Sequence, residues 1–278
     1  MGISGIIRHL DRDGWRWLAA TAVFIAYRLK GEKIQSVRFN PMSRLWEYRI
    51  GGSFFITKEA SWFSSQKYYL DTLQRYSCFQ YLPNPNDTVI DVGAGVGEEV
   101  IPLAACVGTG GKVYALEANP RTYDILSDVV KQNNFGNTNL FLLAISESKG
   151  VVFIEDDGGY GVSNSIQTKT TNNTFEIPSV SIDDFIEEQA IDRVDLLKVN
   201  IEGAERFLVR GMKQSIRKIR NIAISCHDFR YHGGESEFFK TKEEVISFLE
   251  PNFRLTFQQS GDPVRDSYVY GVNKLLSN

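Results

Sequence analysis

The last two thirds of the chain alternate short apolar runs with helical stretches, and this alternation constrains the fold more than any other feature. The apolar runs lie at 88–92, 112–117, 139–144, 195–200, 222–226, 254–259 and 267–272. Helical stretches lie near 120–133, 203–210 and 241–250. Strands separated by helices predict βαβ units, which form a parallel sheet with helices on both faces. We therefore expect an α/β fold whose ligand binds beyond the carboxyl ends of the strands.

The motif VIDVGAGVG occupies residues 89–97, at the end of the first apolar run. Its three glycines let the backbone pass close to a bound nucleoside, where a Cβ would block the approach. The spacing is GxGxG, whereas the dinucleotide fingerprint is GxGxxG with a pyrophosphate at the helix N-terminus. Glu98 and Glu99 follow the turn and would repel a pyrophosphate. The motif therefore favours a ligand that carries an amino group and a sulfonium but no phosphate.

Glu117 lies 20 residues beyond Gly97, at the end of the second predicted strand. A carboxylate there can accept hydrogen bonds from both hydroxyls of a ribose, as the acid at this spacing does in dinucleotide folds. The alternative is a solvated charge at the end of a strand. Together with the glycine motif, Glu117 predicts an adenine nucleoside ligand, and the acidic turn favours S-adenosylmethionine as the cofactor.

The N-terminal part of the chain has a different character, and we predict an extension over 1–83 and a main domain over 84–278. Short strands are predicted at 34–39, 45–50 and 53–57, and an amphipathic helix is predicted at 62–82. The extension is therefore expected to have α/β structure. We expect it to cap the cleft of the main domain or to form a contact between copies in a homo-oligomer.

An apolar run, WLAATAVFIAY, occupies residues 17–27 with Thr21 as its only polar side chain. Its eleven residues make a helix of roughly 17 Å, which is shorter than the hydrocarbon core of about 30 Å. Arg16 and Arg28 flank the run closely, and it is a poor match to a signal peptide. We expect a helix that is buried on all sides by the rest of the protein or by a partner subunit. Membrane contact is the less favoured alternative.

The composition narrows the choice of partners and compartment. The net charge is −3, from 31 Lys and Arg against 34 Asp and Glu, so no overall field attracts nucleic acid or anionic lipid. This mild charge fits a neutral, polyol-like acceptor better than a polyanion. Cys78, Cys106 and Cys226 share no CxxC spacing, which disfavours a disulfide framework and a cysteine zinc site. A reducing compartment is therefore favoured, and we expect a cytoplasmic protein.

Five segments of the chain resemble the FkbM family of S-adenosylmethionine-dependent methyltransferases. They are VIDVGAGVGEEVIPLAACVG, KVYALEANPRTYDILSDVVKQNN, NLFLLAISESKGVVFI, IPSVSIDDFIEE and VDLLKVNIEGAERFLVRGM, in this order over roughly 86–228. The resemblance implies the class I Rossmann-like methyltransferase fold, a seven-stranded and mostly parallel sheet whose last strand is antiparallel. It also implies O-methyl transfer to a hydroxyl of a small molecule, a sugar or glycan, or a natural product.

The resemblance further implies where the cofactor would lie. The expected cofactor-binding residues are Asp91, Gly93, Ala94, Gly95, Gly97, Glu98, Glu117, Ala118, Asn119, Ala144, Ile145, Ser146 and Asn200. Asp91 and the first glycines would line the methionine end, and Glu117 would hold the ribose. Ala118 and residues 144–146 would lie near the adenine.

One position departs from the family pattern. The family usually reads KIDVEGAE after its fourth strand, whereas this chain reads KVNIEGAE at 198–205. Asn200 is also a candidate catalytic residue, because it would lie at a strand end beside the reacting centre. It keeps hydrogen-bonding capacity, but it cannot act as a base and is a poorer ligand for a divalent metal. We therefore expect no metal, and a non-catalytic or altered-activity binding or assembly protein is the alternative to an enzyme. A nicotinamide dehydrogenase is disfavoured by the GxGxG spacing.

Proton removal from an acceptor hydroxyl would need a base near the carboxyl edge of the sheet. His227 and Asp228 follow the run at 222–226, and the unperturbed pKa of histidine is about 6.5. His227 is therefore the first candidate and Asp228 the second, although His227 could also be hydrogen-bonded in a surface loop. Glu202 could approach the acceptor or orient Asn200, or it could simply favour the N-terminus of the next helix. The Gly- and Ser-rich segment 156–167 is expected to be an adaptable loop near the site, or else a solvated linker.

Overall fold

The N-terminal extension folds as helices packed on a small antiparallel sheet. The computed structural model describes residues 3–60, 66–155, 166–167 and 174–276. The extension contains α1 (Ile3–Leu10), α2 (Arg16–Leu29), β1 (Ile34–Asn40), β2 (Leu45–Ile50), β3 (Ser53–Thr57) and α3 (Gln66–Arg75). The three predicted strands are present and pair in the order β1-β2-β3. The helix predicted over 62–82 is described only from Gln66 and ends at Arg75, because the chain turns there instead of continuing to the prolines.

The main domain begins with two βα units. They are β4 (Thr88–Val92), α4 (Val100–Val107), β5 (Lys112–Glu117) and α5 (Pro120–Gln132), followed by β6 (Thr138–Leu142), β7 (Ala144–Ile145), β8 (Gly150–Glu155), β9 (Ile166–Gln167) and β10 (Thr174–Val180). The remaining elements are α6 (Ile182–Glu188), β11 (Val194–Val199), α7 (Glu205–Arg210), β12 (Ile219–Ser225), α8 (Asp228–His232), α9 (Lys242–Leu249), β13 (Phe253–Thr256), α10 (Pro263–Asp266) and β14 (Tyr268–Asn273).

The described strands of the main sheet run in the order β13-β14-β12-β11-β4-β5-β6. β14 is antiparallel to both β12 and β13, and the other neighbouring pairs are parallel. The arrangement confirms the predicted seven-stranded class I Rossmann-like methyltransferase sheet. The strand order reverses between β4 and β11, which creates a crevice at their carboxyl ends.

Helices cover both faces of this sheet, as predicted. Ile90 of β4 faces a core that includes Phe185 of α6, whereas its neighbour Val89 faces a core that includes Leu103 of α4 and Leu126 of α5. Successive residues of a strand point to opposite faces, so a strand buried on both sides is apolar throughout.

The part of the chain between β6 and α6 forms a second sheet, with the strand order β7-β10-β8-β9. This sheet was not predicted. The strand predicted over 139–144 ends at Leu142, and Ala144 pairs instead with Ser179 of β10 in this second sheet. Such short strands are defined by distant partners and leave little periodicity in the sequence. The predicted adaptable loop at 156–167 lies outside the described residues, except for β9.

α2 contains the apolar run and is buried on one face only. Val23 and Tyr27 pack in a core with Trp46 of β2, and this core also includes Val129 of α5. Leu29, by contrast, is 81% exposed. Among the described residues, the rest of the chain therefore covers only one side of α2, so the prediction that this chain itself buries the helix on all sides is wrong. Burial by a partner subunit stays a prediction.

Within the described residues, no helix is both long enough and apolar enough to span a membrane.

Candidate functional site

A cavity of about 390 Å³ lies at the carboxyl ends of β4, β5 and β11, in the predicted crevice. This volume is within the usual range for small-molecule sites. Residues of the glycine turn, of the loop after β11 and of the β6–β7 connection line it. The extension contributes one wall through Tyr68, Tyr69 and Thr72 of α3 and through Tyr76, which follows the helix.

The glycine turn reaches the cavity through Gly93, Ala94 and Gly95 but not through Gly97. All three glycines have positive φ, of 77°, 57° and 93° in chain order. A Cβ on Gly97 would lie 3.0 Å from the side chain of Leu126, so this glycine lets α5 pack closely against the turn. Gly97 therefore allows helix packing. It was expected among the cofactor-binding residues, but it does not line the cavity.

Gly93 and Gly95 differ in what surrounds them, which yields a paired prediction. A Cβ on Gly93 would lie 1.9 Å from the backbone oxygen of Asn200, whereas a Cβ on Gly95 would meet nothing within 4 Å. Gly93→Ala is expected to lower the free energy of unfolding by about 2 kcal/mol or more, because strain at positive φ adds to the clash. Gly95→Ala should cost only about 1 kcal/mol. Urea denaturation of both variants measures the difference, and equal losses would contradict this reading of the turn.

Glu117 forms part of the cavity wall and is held in place by the backbone. Its Oε2 accepts a hydrogen bond from the N–H of Gly95 at 2.9 Å, and its Oε1 accepts one from the N–H of Asn119 at 2.8 Å. Burial raises the pKa of Glu117, although these backbone hydrogen bonds oppose the shift. The carboxylate therefore has a set orientation at the position predicted for a ribose partner.

Asn119 itself caps α5 and does not line the cavity. Its Oδ1 accepts hydrogen bonds from the N–H groups of Arg121 and Thr122, at 2.9 and 3.2 Å. An asparagine immediately before a helix commonly satisfies the first free N–H groups in this way. Ala118, Ala144 and Ile145 line the cavity as predicted. Ser146 does not, and its N–H donates to Val180 of the second sheet.

Asp91 is fully buried beneath the glycine turn and does not line the cavity. Its Oδ1 lies 2.8 Å from Nζ of Lys198, and the same Nζ lies 2.7 Å from Oε2 of Glu99. Lys198 also donates to the backbone oxygen of Gly93 at 3.2 Å. Burial opposes the charge on Lys198, but Asp91 and Glu99 outweigh it and raise its pKa. Asp91 therefore influences the glycine turn indirectly. It holds Lys198, whose ammonium group donates a hydrogen bond to the backbone of the turn.

Carboxylates dominate the charged lining of the cavity. Among the described residues, Glu98, Glu99, Glu117 and Glu202 line it, opposed by Lys198. A phosphate would meet these charges at close range, whereas a cationic or neutral ligand would not. Besides the two glutamates that follow the glycine turn, Glu117 and Glu202 thus add carboxylates to other parts of the cavity wall.

His227 lies behind the cavity wall, with only 2% of its surface exposed, and does not line the cavity. Its Nδ1 lies 2.7 Å from Oε1 of Glu205, and its Nε2 lies 3.5 Å from Oε1 of Glu202. Burial opposes its charge, but the hydrogen bonds to Glu202 and Glu205 outweigh burial and raise the pKa of His227 to about 9. A histidine that already holds its proton at neutral pH is poorly suited to act as a base there.

The raised pKa of His227 predicts a pH-dependent stability. Because the pKa of His227 in the folded protein exceeds the ordinary 6.5, protonation of His227 stabilises the fold. This stabilisation is complete below pH 6.5 and is lost as the pH rises through about 9. Wild type should lose up to about 3 kcal/mol of unfolding free energy over this interval. His227→Gln should flatten the dependence, whereas the exposed His232→Gln should keep it. Urea denaturation across this pH range is the measurement, and equal slopes for all three proteins would refute it.

Asp228 is committed to the fold rather than to the cavity. Its Oδ2 accepts hydrogen bonds from the N–H groups of Thr241 and Lys242, at 3.0 and 2.9 Å, where α9 begins. The carboxylate satisfies backbone groups that a helix start leaves free. The structure therefore does not support the second-choice base.

Glu202 and Asn200 do reach the cavity, as predicted. Glu202 has a left-handed backbone with φ of 51°, and its Oε2 accepts a hydrogen bond from Nη1 of Arg230 at 2.6 Å. Burial would raise the pKa of Glu202, but His227 and Arg230 hold it below its ordinary range. Oδ1 of Asn200 is buried without a hydrogen-bond partner among the described residues. An ionised carboxylate and an unsatisfied amide oxygen therefore lie near one another on this wall.

Several lining residues were missed by the sequence analysis. Lys198 carried a signal, since a single lysine inside the apolar run DLLKV must find partners when that strand is buried. The tyrosines of α3 carried none, because their helix lies far from the motifs along the chain.

Known proteins resemble this chain in the region of the cavity. A family model described as the Methyltransferase FkbM domain matches residues 91–258. The chain is 24% identical over 143 residues to the hexuronic acid methyltransferase AglP of Haloferax volcanii, a match that covers 51% of this chain and 56% of that protein. It is 22% identical over 193 residues to the 2-O-methyltransferase NoeI of Sinorhizobium fredii, covering 64% of this chain and 76% of that protein.

Among solved structures, the methyltransferase FkbM of Methylobacillus flagellatus aligns over 74% of this chain and 50% of its own length, with 19% identity and a TM-score of 0.48. The match to AglP spans little more than half of that relative. The family model covers more than half of this chain and confirms the resemblance seen in the motifs. The chain therefore belongs to the FkbM methyltransferase family.

Proposed function

We propose that this protein is an S-adenosylmethionine-dependent O-methyltransferase whose acceptor is a neutral hydroxyl compound such as a sugar or a polyhydroxylated natural product. The observation that carries the proposal is the lining of the cavity, whose charged residues, among those described, are four glutamates and one lysine. This lining favours a cofactor with an ammonium and a sulfonium over one with phosphates. It also disfavours an acceptor with several negative charges.

The residues present fit this cofactor. Gly95 leaves open space on its Cβ side, Asn200 offers an unsatisfied oxygen, and Glu117 presents a carboxylate oriented by two N–H groups. We assign Glu117 to the ribose hydroxyls, Gly93 to Gly95 to the methionine end, and Ala118, Ala144 and Ile145 to the adenine. When bound, S-adenosylmethionine supplies an activated methyl group on its sulfonium.

The acceptor side is assigned to Glu202 and to the wall formed by α3. Tyr68 is 48% exposed and provides an aromatic face, which suits a sugar ring. The hydroxyl groups of Tyr69 and Tyr76 donate to Ile56 and Asp262, so these two residues contribute to the shape of the wall. Glu202 is held by His227 and Arg230, so its carboxylate can accept a hydrogen bond from the acceptor hydroxyl and fix it for attack. His227 and Glu205 are positioning residues in this scheme, because they act through Glu202.

Glu202→Gln is expected to lower kcat for methyl transfer by at least about tenfold, because a neutral amide is a weaker acceptor for the hydroxyl proton. The affinity for S-adenosylmethionine should change little, since Glu202 is assigned to the acceptor. Radiolabelled methyl transfer measures kcat, and calorimetry measures the affinity. Glu235→Gln is the control, because Glu235 also pairs with Arg230 but does not line the cavity. An unchanged kcat in Glu202→Gln would remove Glu202 from the reaction.

Two titrations test the proposal as a whole. S-adenosylmethionine should bind the purified protein, and NADH should not, because its phosphates would meet the carboxylates of the cavity. Incubation with a panel of neutral sugars and polyols should then yield a methylated product by mass spectrometry. Tight binding of NADH, or no binding of S-adenosylmethionine, would overturn the proposal.

A second candidate function is cofactor binding without turnover, which Asn200 favours because the family usually has an aspartate there. Binding of S-adenosylmethionine without product across the acceptor panel would support it. Methyl transfer by Asn200→Asp but not by wild type would support it further. Turnover by wild type would exclude it.

A further inference from the structure

The outer face of α2 is apolar although nothing in the described residues covers it. Trp17, Ile25 and Leu29 are 66%, 52% and 81% exposed. Their spacing of eight and four residues places them along one side of the helix, with Thr21 between them. Trp15, just before the helix, is also exposed, and the guanidinium of Arg12 lies 4.9 Å from its ring centre. This stripe, Trp17, Ile25 and Leu29, is here called the outer stripe of α2.

The segment that carries the outer stripe, residues 3–33, has a charge opposite to that of the whole protein. Residues 3–33 contain six Lys and Arg and three Asp and Glu, which gives +3, whereas the whole chain carries −3. Arg8, Arg12, Arg28 and Lys33 are exposed. Their long side chains can lie along apolar surface while the charged ends reach outward. A partner that is both apolar and anionic would match this surface.

We propose that the outer stripe of α2 docks on an anionic lipid surface, with the helix lying in the plane of the membrane interface. Tryptophan and aliphatic side chains on one face with basic residues around them are the features of interfacial helices. The 14 residues of α2 extend about 21 Å, which suits a helix lying flat and is too short to span the hydrocarbon core. A second copy of this chain would bring two positive surfaces together, which disfavours a dimer through this face.

The experiment compares the full chain on vesicles of phosphatidylcholine alone and of phosphatidylcholine mixed with phosphatidylserine. Co-sedimentation should occur with the mixed vesicles and should weaken as salt is raised. Replacing the outer stripe by Trp17→Ser, Ile25→Ser and Leu29→Ser together should reduce binding at least about tenfold. A control with Val151→Ser and Leu275→Ser, which are also exposed, should bind like wild type. Circular dichroism confirms that each variant is folded.

Other results would overturn the proposal. If wild type sediments with neither vesicle, lipid docking is rejected. Equal binding by the triple variant and the control would place any lipid contact elsewhere. Light scattering without lipid gives the last test, since a dimer that the triple variant dissociates would identify a second copy as the occupant. None of these measurements depends on methyl transfer, so the proposal stands or falls separately from the proposed function.

Discussion

Glu117→Gln is expected to weaken the binding of S-adenosylmethionine about 100-fold. The carboxylate is held by the N–H groups of Gly95 and Asn119, and both its oxygens can accept hydrogen bonds. A glutamine would turn its NH₂ group toward one of these N–H donors and lose the charge that strengthens bonds to the ribose hydroxyls. Each charge-assisted hydrogen bond contributes about 1.5–3 kcal/mol, so weakening two accounts for this loss. Titration calorimetry measures the dissociation constant.

Two further variants make this prediction specific. Glu117→Asp keeps the charge but withdraws it from the cavity, so it should bind the cofactor more weakly than wild type. Glu187→Gln, on the exposed surface of α6, removes the same charge outside the cavity and should bind like wild type. Unfolding measurements separate binding from folding, because Glu117 also contacts the backbone of the turn. A folded Glu117→Gln protein with wild-type affinity would show that Glu117 does not hold the ribose.

Lys198→Met is expected to lower the free energy of unfolding by about 3–5 kcal/mol, the usual cost of removing one partner from a buried ion pair. Nζ of Lys198 is the cation shared by Asp91 and Glu99, and Asp91 is completely buried. Methionine fills a similar volume but leaves these carboxylates facing each other without a cation. Urea denaturation at neutral pH measures the loss.

Two comparisons distinguish this effect from a general effect of losing a lysine. Lys149 pairs with Glu188 at 3.2 Å on an exposed surface, and Lys149→Met should cost only about 0–1 kcal/mol. Adding Asp91→Asn to Lys198→Met should recover part of the loss, because it removes one of the unpaired charges. If Lys198→Met were as stable as Lys149→Met, the buried cation would not support the glycine turn.

Much of the fold could be predicted because its signals are local. A buried strand and a helix leave their own periods in a few residues, and this was enough for β4, β5, β11, β12 and the final hairpin. The second sheet escaped prediction because β7 has only two residues and pairs with β10 more than 30 positions away. For α2, the apolar run indicated a helix, but whether both faces are covered depends on how much surface the extension offers.

The residues of the candidate site also divide into those that could be assigned from the sequence and those that could not. Gly93, Gly95, Glu117, Asn200 and Glu202 could be assigned to the cavity because each lies at or just after the end of a strand of one parallel sheet, and the carboxyl ends of such strands share an edge. Asp91 and His227 also lie near that edge, but their charges are satisfied by Lys198, Glu202 and Glu205 and not by the cavity.

The sequence by itself determined the type of sheet, the family and the edge at which a ligand would bind. Only the tertiary structure decided which polar side chains face the cavity, which face one another in the interior, and which side of α2 meets solvent. The physical reason is that strand and helix periods arise between near neighbours in the chain, whereas burial and ion pairing depend on atoms that come together only after folding. Lys198 and Asp91 are 2.8 Å apart in the structure, yet they belong to different strands and no local pattern joins them.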